Sequence, residues 1–300
     1  DQLATVYRGD ECNETNVKKL LDVCAAAGVE LFILDGPTWA EGYGNWVPKK
    51  KWFPNGLEPL REYAHKKGLL FGLYAEPEGG RGDWSQTQAF RQHPEWFEGK
   101  ILNLAIPEAA DYMESEWLKI IDNYKLDLYR HDINMGIRAG EGTVSYRQGF
   151  IECDYWRHYD ALYEMTKRIG RKYPELILQQ ASGGCTRSDL AAVGAWDEHY
   201  TSDRAGYPWV CQMLSGLSVY LPPEILVSPH GMNGPFSDTT TMLRGVYTLG
   251  NTPMIFNAML PKSIETFPEQ QCQPFLHYAR LYKSFIRPLL ADCKVYHHAP

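Results

Sequence analysis

Long apolar runs and basic clusters are both missing from this 300-residue chain. No apolar run approaches 18 residues, so a transmembrane helix is not expected, and no charged-then-apolar segment precedes Asp1. No run of five or six basic residues occurs, and the net charge is −7. These features argue against nucleic acid or a membrane as a partner. They predict a soluble chain, cytoplasmic or secreted, whose ligand is neutral or small.

Paired metal ligands are also missing. The seven cysteines are odd in number, widely scattered and without a C-x-x-C pair, which fits neither a zinc site nor a disulfide framework. Reduced and mostly buried thiols are expected instead. No His-x-His pair or dense His/Asp cluster occurs, which disfavours a metal-dependent barrel hydrolase that would use His131, His199 and His230.

Internal repeats and low-complexity linkers are lacking, so one domain is predicted over residues 1–300. Short apolar or β-branched runs alternate with segments of helical periodicity, which is the pattern of βα units around a parallel sheet. The sequence therefore predicts an α/β fold, a (β/α)8 TIM barrel. Its eight strands are predicted at Leu3–Tyr7, Val29–Leu34, Leu69–Tyr74, Leu126–His131, Leu176–Gln180, Ala195–Tyr200, Leu217–Leu221 and Met254–Phe256. The predicted helices include Glu14–Ala27, Leu57–Lys67, Ala109–Asn123, Tyr155–Lys172, Ser188–Val193 and Gln271–Ile286.

Helix boundaries carry their own signals. Asn13 precedes the first predicted helix as an N-cap residue, and Gly28 follows that helix at the position where glycine usually ends one. Gly68 follows the second predicted helix in the same way.

Two aspartates stand where predicted strands end. Asp132 follows Leu126–His131 and Asp203 follows Ala195–Tyr200. Catalytic residues of parallel barrels lie at this end of the strands. A retaining glycosidase needs one carboxylate to attack the anomeric carbon and a second to protonate the leaving oxygen, about 5–5.5 Å apart. We expect Asp132 to be the nucleophile, with Arg130 lowering its pKa, and Asp203 to be the acid and base.

The structural alternative is that Asp132 ends a strand and caps the next segment, while Asp203 lies in a turn and pairs with Arg204 at the surface. Each aspartate taken alone fits that alternative. The surrounding loops decide between the two interpretations.

Two further loops offer groups that could hold a sugar. Asp35 closes the second predicted strand, and Trp39 follows as an aromatic plate beside this acceptor. After the fifth predicted strand comes Ala181-Ser182-Gly183-Gly184-Cys185-Thr186-Arg187-Ser188, whose glycine pair permits close approach to a ligand. The alternative for this loop is a tight turn that caps the next helix at Ser188.

A set of motifs in a consistent order resembles glycoside hydrolase family 36, the α-galactosidases and their relatives. Arg130-His131-Asp132-Ile133-Asn134 resembles the nucleophile motif of that family, Ser182-Gly183-Gly184 its glycine-rich loop, and Thr201-Ser202-Asp203 its acid/base motif. The likeness extends from about residue 14 to 290 and includes Leu34-Asp35-Gly36, Asn45-Trp46, Trp52-Phe53-Pro54-Asn55-Gly56-Leu57, Phe71-Gly72-Leu73-Tyr74-Ala75-Glu76-Pro77-Glu78, His93-Pro94-Glu95-Trp96, Val219-Tyr220-Leu221-Pro222-Pro223-Glu224 and Ser228-Pro229-His230.

The resemblance implies a (β/α)8 barrel that removes terminal α-linked galactose-type sugars with retention, without a metal or other cofactor. A carbohydrate is the implied partner, and an oligomer is possible. The flanking β-domains of the family are not present in this chain. The implied sugar-binding residues are Asp35, Trp39, Tyr74, Arg130, Asn134, Ser182, Gly183, Gly184 and Arg187.

Several positions depart from the family pattern. The family has two consecutive aspartates where this chain has Asp35-Gly36, Lys where it has Arg130, and Trp where it has His131. Ala181 replaces a Cys near the 2-position of the sugar, so an α-N-acetylgalactosaminide or a free-amine galactosaminide is an alternative substrate. A galactosyl transferase of the raffinose-synthase kind and a non-catalytic sugar-binding barrel remain alternatives as well.

Overall fold

The structure of the chain is a computed structural model. The structure describes residues 2–7, 11–26, 28–80, 84–133, 144–147, 149–202, 209–231, 252–260, 277, 280–290 and 292–296. Side chains are not described for residues 2–7, 37, 144–147, 150–153, 210, 228–231 and 252–260.

Eight parallel strands close into a barrel, as the sequence predicts. Going around the barrel, each strand pairs with the next and the last pairs with the first. The strands in this order are β1 (Gln2–Tyr7), β2 (Leu31–Asp35), β5 (Leu70–Ala75), β8 (Leu128–His131), β11 (Ile177–Gln180), β12 (Glu198–Tyr200), β13 (Leu226–Gly231) and β14 (Thr252–Leu260).

Helices connect the strands, and short antiparallel hairpins extend three of the connections. The described helices are α1 (Glu14–Ala26), α2 (Glu58–Lys66), α3 (Gln88–Gln92), α4 (Pro107–Tyr124), α5 (Asp154–Lys172), α6 (Leu190–Val193), α7 (Trp209–Leu217) and α8 (Arg287–Leu290). The hairpin strands are β3 (Ala40–Gly42) with β4 (Asn45–Pro48), β6 (Phe97–Glu98) with β7 (Ile101–Leu102), and β9 (Val144–Arg147) with β10 (Phe150–Cys153). Short 3-10 turns cover Pro37–Trp39, Trp84–Gln86, Pro94–Trp96 and Pro223–Ile225, and a π-helix covers Tyr282–Ile286.

Alternate residues of each strand face two different cores, because successive side chains point to opposite faces. The barrel interior holds a small apolar cluster of Leu31, Ile33, Leu128, Ala181, Tyr200 and Val227. The larger core lies between the strands and the helices, and Trp117 of α4 lies buried in it. Polar side chains complete the interior toward the carboxyl ends of the strands, as described below.

The sequence-based prediction of the seventh strand is wrong. Residues 217–221 end α7 and form the turn after it, and the strand that enters the barrel is β13, Leu226–Gly231. The alternative for the glycine-rich loop, with Ser188 as the helix cap, also names the wrong residue, because Asp189 caps α6 and accepts hydrogen bonds from the amides of Ala191 and Ala192. Half of the predicted helix Gln271–Ile286 lies outside the described residues, and its last five residues, Tyr282–Ile286, form the π-helix.

The predicted helix boundaries near the chain start are confirmed. The Asn13 side chain accepts a hydrogen bond of 3.0 Å from the amide of Asn16, as an N-cap does. Gly28 and Gly68 follow α1 and α2 with positive φ, as expected. No helix within the described part of the chain is long and apolar enough to cross a membrane.

Candidate active site

Polar side chains form a row across the carboxyl end of the barrel interior. Tyr74 of β5 pairs in register with Arg130 of β8, Arg130 with Gln179 of β11, and Gln179 with Glu198 of β12. Register partners in neighbouring parallel strands face the same side of the sheet. In β2, Leu34 pairs with Leu73 of β5. Asp35, the last residue of β2, follows Leu34 and therefore joins this row beside Tyr74.

Arg130 is the central cation of the row and is completely buried. Its Nε lies 3.2 Å from Asp35 Oδ1, and its Nη1 donates to Gln179 Oε1. Gln179 in turn donates to Glu198 over 2.8 Å. The guanidinium carbon lies 4.0 Å from the centre of the Tyr200 ring, a cation–π contact. Arg130 therefore has Asp35 as an ion-pair partner.

Asp132 directly follows β8 and is partly exposed above this row. Its amide donates to the carbonyl of Ala75 at 3.4 Å, which ties it to the neighbouring strand β5. Its Oδ1 accepts a hydrogen bond of 3.2 Å from the amide of Gly183 in the loop after β11. Asp132 thus presents a partly exposed carboxylate, fixed by two neighbouring segments, at the end where barrel enzymes carry catalytic groups.

Tyr74 lies next to three carboxylates. Its hydroxyl donates to Glu76 Oε1, and its side chain is buried. Burial, together with the negative charges of Asp132, Glu76 and Asp35, raises the pKa of the Tyr74 phenol far above its ordinary value. Tyr74 is therefore a neutral hydrogen-bond donor at the base of the site.

The glycine-rich loop reaches the site through its backbone. Gly183 supplies the amide that contacts Asp132, while the Ser182 side chain is buried and its Oγ has no hydrogen-bond partner among the described residues. Gly184 passes close to the next loop, since an added Cβ would lie 3.1 Å from Ser202 Cα. The close backbone approach expected from the glycine pair is present, and its observed partners are protein groups.

Two predicted sugar-binding residues lie away from the barrel interior. Trp39 is fully buried in the outer core, where its indole N–H donates to the carbonyl of Tyr74 at 3.1 Å. It therefore supports β5 and offers no free ring face to a sugar. The guanidinium of Arg187 is buried as well and forms two hydrogen bonds, of 2.7 and 2.8 Å, with Glu78.

Asn134 and Asp203 lie outside the described residues. The structure therefore brings together Asp35, Tyr74, Arg130, Asp132 and the Ser182–Gly184 loop, and it says nothing of the second predicted carboxylate. No group of three His, Cys, Asp or Glu side chains able to hold a metal occurs within the described ranges.

Sequence reasoning missed several polar residues that the structure places here. Glu76 and Gln179 belong to the interior, and Glu78 with His158 forms a buried cluster behind it. A signal for Glu76 was available, because it continues the period-two row that begins with Gly72 and Tyr74.

The closed parallel barrel and the acidic groups at the carboxyl ends of its strands define a class, the (β/α)8-barrel proteins with a candidate active site in the expected place. Comparison with known families narrows that class. Residues 6–239 match the Melibiase family, and this match covers more than half of the chain. The chain belongs to this family, which corresponds to the catalytic domain of glycoside hydrolase family 36.

Relatives of known sequence are named α-galactosidases. α-Galactosidase Mel36A of Lactobacillus acidophilus is 26% identical over 247 residues, which cover 74% of this chain and 33% of that protein. α-Galactosidase 2 of Pediococcus pentosaceus is 25% identical over 301 residues, 92% of this chain and 40% of that protein. The chain thus spans about a third to two fifths of the length of these relatives.

Solved structures show the same fold. The α-galactosidase AgaA of Geobacillus stearothermophilus superposes with a TM-score of 0.81 at 20% identity, covering 97% of this chain and 42% of that one. A variant of AgaA in complex with raffinose gives a TM-score of 0.80 at 19% identity, covering 96% of this chain and 42% of the other. At this identity the likeness establishes the barrel fold.

Proposed function

We propose that this chain is the catalytic barrel of a retaining, exo-acting glycoside hydrolase that releases a terminal α-linked galactose-type sugar. The observation that carries the proposal is the position of Asp132. It is a partly exposed carboxylate at the end of β8, held by Gly183 and lying above Asp35, Tyr74 and Arg130. Membership of the Melibiase family and the names of the relatives support the same activity.

The proposed reaction is a double displacement. Asp132 attacks the anomeric carbon while the carboxylic acid of Asp203 protonates the departing oxygen, so the glycosidic bond breaks and a glycosyl ester forms on Asp132. The carboxylate of Asp203 then takes a proton from water as the water attacks the same carbon and breaks the ester. Two inversions at one carbon give net retention.

Recognition of the sugar falls to the interior row. Asp35 accepts hydrogen bonds and Arg130 donates them, whereas the Tyr74 hydroxyl, whose proton is donated to Glu76, can only accept, so neighbouring hydroxyls of one sugar ring meet both kinds of partner. A site built for hydrogen bonds rejects a sugar whose hydroxyl points elsewhere, because its buried polar groups then lose their partners.

Galactose is the proposed sugar in preference to its 2-acetamido analogue. Ala181 is buried and belongs to the interior apolar cluster with Leu128 and Tyr200. Its small size therefore does not by itself open a space for a larger substituent. The complex of the AgaA variant with raffinose, an α-galactoside, is consistent with this substrate class.

The test is turnover of two aryl α-galactosides, one with an activated leaving group and one without. Asp132→Ala should lower turnover of both by on the order of 10⁴-fold or more, because the covalent step is lost. Asp203→Ala should spare the activated substrate, whose leaving group needs no proton. Proton NMR of the first product should show the α-anomer.

Asp160→Ala is the matched control, because Asp160 is an exposed carboxylate on α5. It should retain full activity. Full activity of Asp132→Ala would contradict the assignment of the nucleophile. Turnover of an aryl α-N-acetylgalactosaminide in place of the galactoside would correct the substrate and keep the mechanism.

A further inference from the structure

A completely buried carboxylate, Glu78, lies behind the candidate nucleophile. Glu78 follows β5 by three residues, and each of its oxygens accepts two hydrogen bonds. Oε1 accepts from Arg187 at 2.8 Å and from His158 at 2.7 Å. Oε2 accepts from Arg187 at 2.7 Å and faces His131 Nε2 at 3.1 Å. The Glu78 side chain therefore connects its own segment to three other parts of the chain.

The protonation of this cluster follows from its contacts. His158 Nδ1 accepts a hydrogen bond of 3.1 Å from the amide of Leu104, so its Nε2 carries the proton that Glu78 accepts. Burial alone would raise the pKa of Glu78, but the Arg187 charge and the hydrogen bonds from His131 and His158 outweigh it and hold this pKa well below its ordinary value. Glu78 is therefore ionised, and both of its oxygens accept hydrogen bonds from these neighbours.

Both neighbours of Asp132 are attached to the Glu78 segment. His131, which precedes Asp132, contacts the Glu78 side chain, and its ring packs against both Trp117 and Trp196, whose centroids each lie 5.2 Å from it. Ile133, which follows Asp132, packs on Ile101 of the β6–β7 hairpin.

That hairpin is bound to the backbone of Glu78. The amide of Leu102 donates to the carbonyl of Glu78 at 2.9 Å, and the next residue, Gly79, forms a bridge with Ile101. Through this hairpin, the contact of Ile133 with Ile101 also connects Asp132 to the Glu78 segment.

The hydrogen-bond donor of Asp132 is attached to the same carboxylate. Gly183, whose amide contacts Asp132, lies in the loop that also carries Arg187, and the fork of Arg187 is held by Glu78. A bidentate ion pair fixes orientation as well as distance. The position of Gly183 relative to Asp132 thus depends on Glu78.

We infer that Glu78 is a positioning residue for the nucleophile: its carboxylate, through His131 and Arg187, sets the place and direction of the Asp132 carboxylate. The inference rests on the proposed function, since it assumes that Asp132 attacks the sugar. It also reassigns Arg187, which acts on catalysis through Glu78 and does not contact the sugar. The sugar-binding residues Asp35 and Arg130 lie outside this cluster.

The first test is the kinetics of Glu78→Gln on the aryl α-galactoside, well below the unfolding temperature. The amide keeps the shape, removes the charge and turns one acceptor into a donor that faces other donors. We expect kcat to fall about 100-fold, because a nucleophile displaced by on the order of 1 Å loses about that much. KM should stay within about threefold, because the interior row that binds the sugar is intact.

Arg187→Lys is the milder second variant, useful if Glu78→Gln does not fold. It keeps the buried charge but loses the fork, and we expect kcat to fall about tenfold at constant KM. A rise in KM at unchanged kcat would identify Arg187 as a sugar-binding residue and overturn its assigned role.

Asp127→Asn is the matched control. Asp127 also pairs a carboxylate with a histidine, His65 Nε2 at 2.7 Å, and accepts from the amide of Phe71 at 2.8 Å, but it precedes β8 and so lies at the opposite end of that strand. This variant should lose stability and keep its kcat. Equal kcat losses in Asp127→Asn and Glu78→Gln would mean a general structural effect and would overturn the inference.

Crystal structures of the unmodified protein and Glu78→Gln separate this inference from the proposed function. An inactive unmodified protein would refute the function, yet the geometry could still be read. We expect the Gly183–Asp132 hydrogen bond to be absent in the variant. An unchanged Asp132 carboxylate with that bond intact, or an unchanged kcat in a folded variant, would refute the positioning role.

Discussion

At the scale of single residues, His199 shows what burial does to a titratable group. It is completely buried on β12, and its Nδ1 lies 2.9 Å from Ser188 Oγ. Burial lowers the pKa of His199 to about 4, and the nearby charge of Asp189 offsets this only in part. His199 is therefore neutral at all but acidic pH.

This pKa predicts a loss of stability in acid. The ordinary histidine pKa is about 6.5, so between about pH 6.5 and 4 the unfolded chain binds a proton that the native chain does not. His199 makes its full contribution to the free energy of unfolding above about pH 6.5. That contribution falls as the pH drops through this window, and at pH 5 it is smaller by on the order of 2 kcal/mol. Urea unfolding at pH 7.5 and pH 5 should show this difference.

His199→Asn tests the assignment, because the amide oxygen can replace Nδ1 as a hydrogen-bond acceptor but does not titrate. Between pH 7.5 and pH 5, the free energy of unfolding of this variant should change by about 2 kcal/mol less than that of the unmodified protein. His93→Asn is the control, since His93 is partly exposed, and it should keep that difference. An unchanged pH dependence in His199→Asn would mean that other groups cause the acid sensitivity.

The candidate site could be predicted residue by residue only where position along a strand decides the role. Asp35 and Asp132 were identifiable because a residue at the carboxyl end of a barrel strand faces the site. The burial of Trp39 and Arg187 could not be read from the sequence, because it depends on how a loop folds over the outer core. Glu78 was hidden for a related reason, since its partners His131 and Arg187 lie 53 and 109 positions away.

At the scale of single elements, α2 and α4 are both followed by a residue in the left-handed backbone conformation, but the residue type differs. After α2 the left-handed position is taken by Gly68, with φ of 79°. After α4 it is taken by Lys125, with φ of 47°, where a side chain crowds the backbone. The contact of Lys125 with Glu58 is an exposed ion pair of 3.4 Å, which contributes little.

Opposite stability changes are therefore expected at the two helix ends. Lys125→Gly should raise the free energy of unfolding by about 1 kcal/mol, because glycine adopts this conformation without strain. Gly68→Ala should lower it by about 1 kcal/mol, since an added Cβ meets no atom within 4 Å and only the backbone strain remains. Urea unfolding of both variants measures the pair, and changes of the same sign would contradict the explanation.

The seventh strand shows why one element of the fold escaped prediction. Residues 217–221 contain Leu, Val and Tyr, which favour strands, but they follow α7 directly and form its end and turn. The true strand β13 contains Pro229, which lacks an amide hydrogen and is rare inside sheets. The other seven strands were found because their apolar runs are bounded by glycine or polar residues.

At the scale of the whole molecule, the barrel depends on a strand that lies beyond the family match. The match ends at residue 239, whereas β14 covers Thr252–Leu260 and pairs with both β13 and β1. Without β14 the sheet has two open edges, on β1 and β13. Open parallel edges present unpaired backbone groups and invite association with other chains.

A chain that ends at residue 239 should therefore fail to form a stable monomer. We expect size-exclusion chromatography of the shortened chain to show aggregates and near-ultraviolet circular dichroism to show no fixed aromatic packing. The 300-residue chain should give a discrete peak and a native spectrum in the same two measurements. A shortened chain that unfolds cooperatively at the same temperature as the 300-residue chain would contradict the requirement for β14.

The seam between β1 and β14 also bears on how the chain is made. Gln2 pairs with Met254, about 250 positions later, so the barrel cannot close until almost the whole domain has left the ribosome. At roughly 5–20 residues per second, synthesis of the intervening chain takes on the order of tens of seconds. During that interval β1 has β2 as its only barrel neighbour, and its other edge must be shielded, by a chaperone or by non-native contacts, until its final partner arrives.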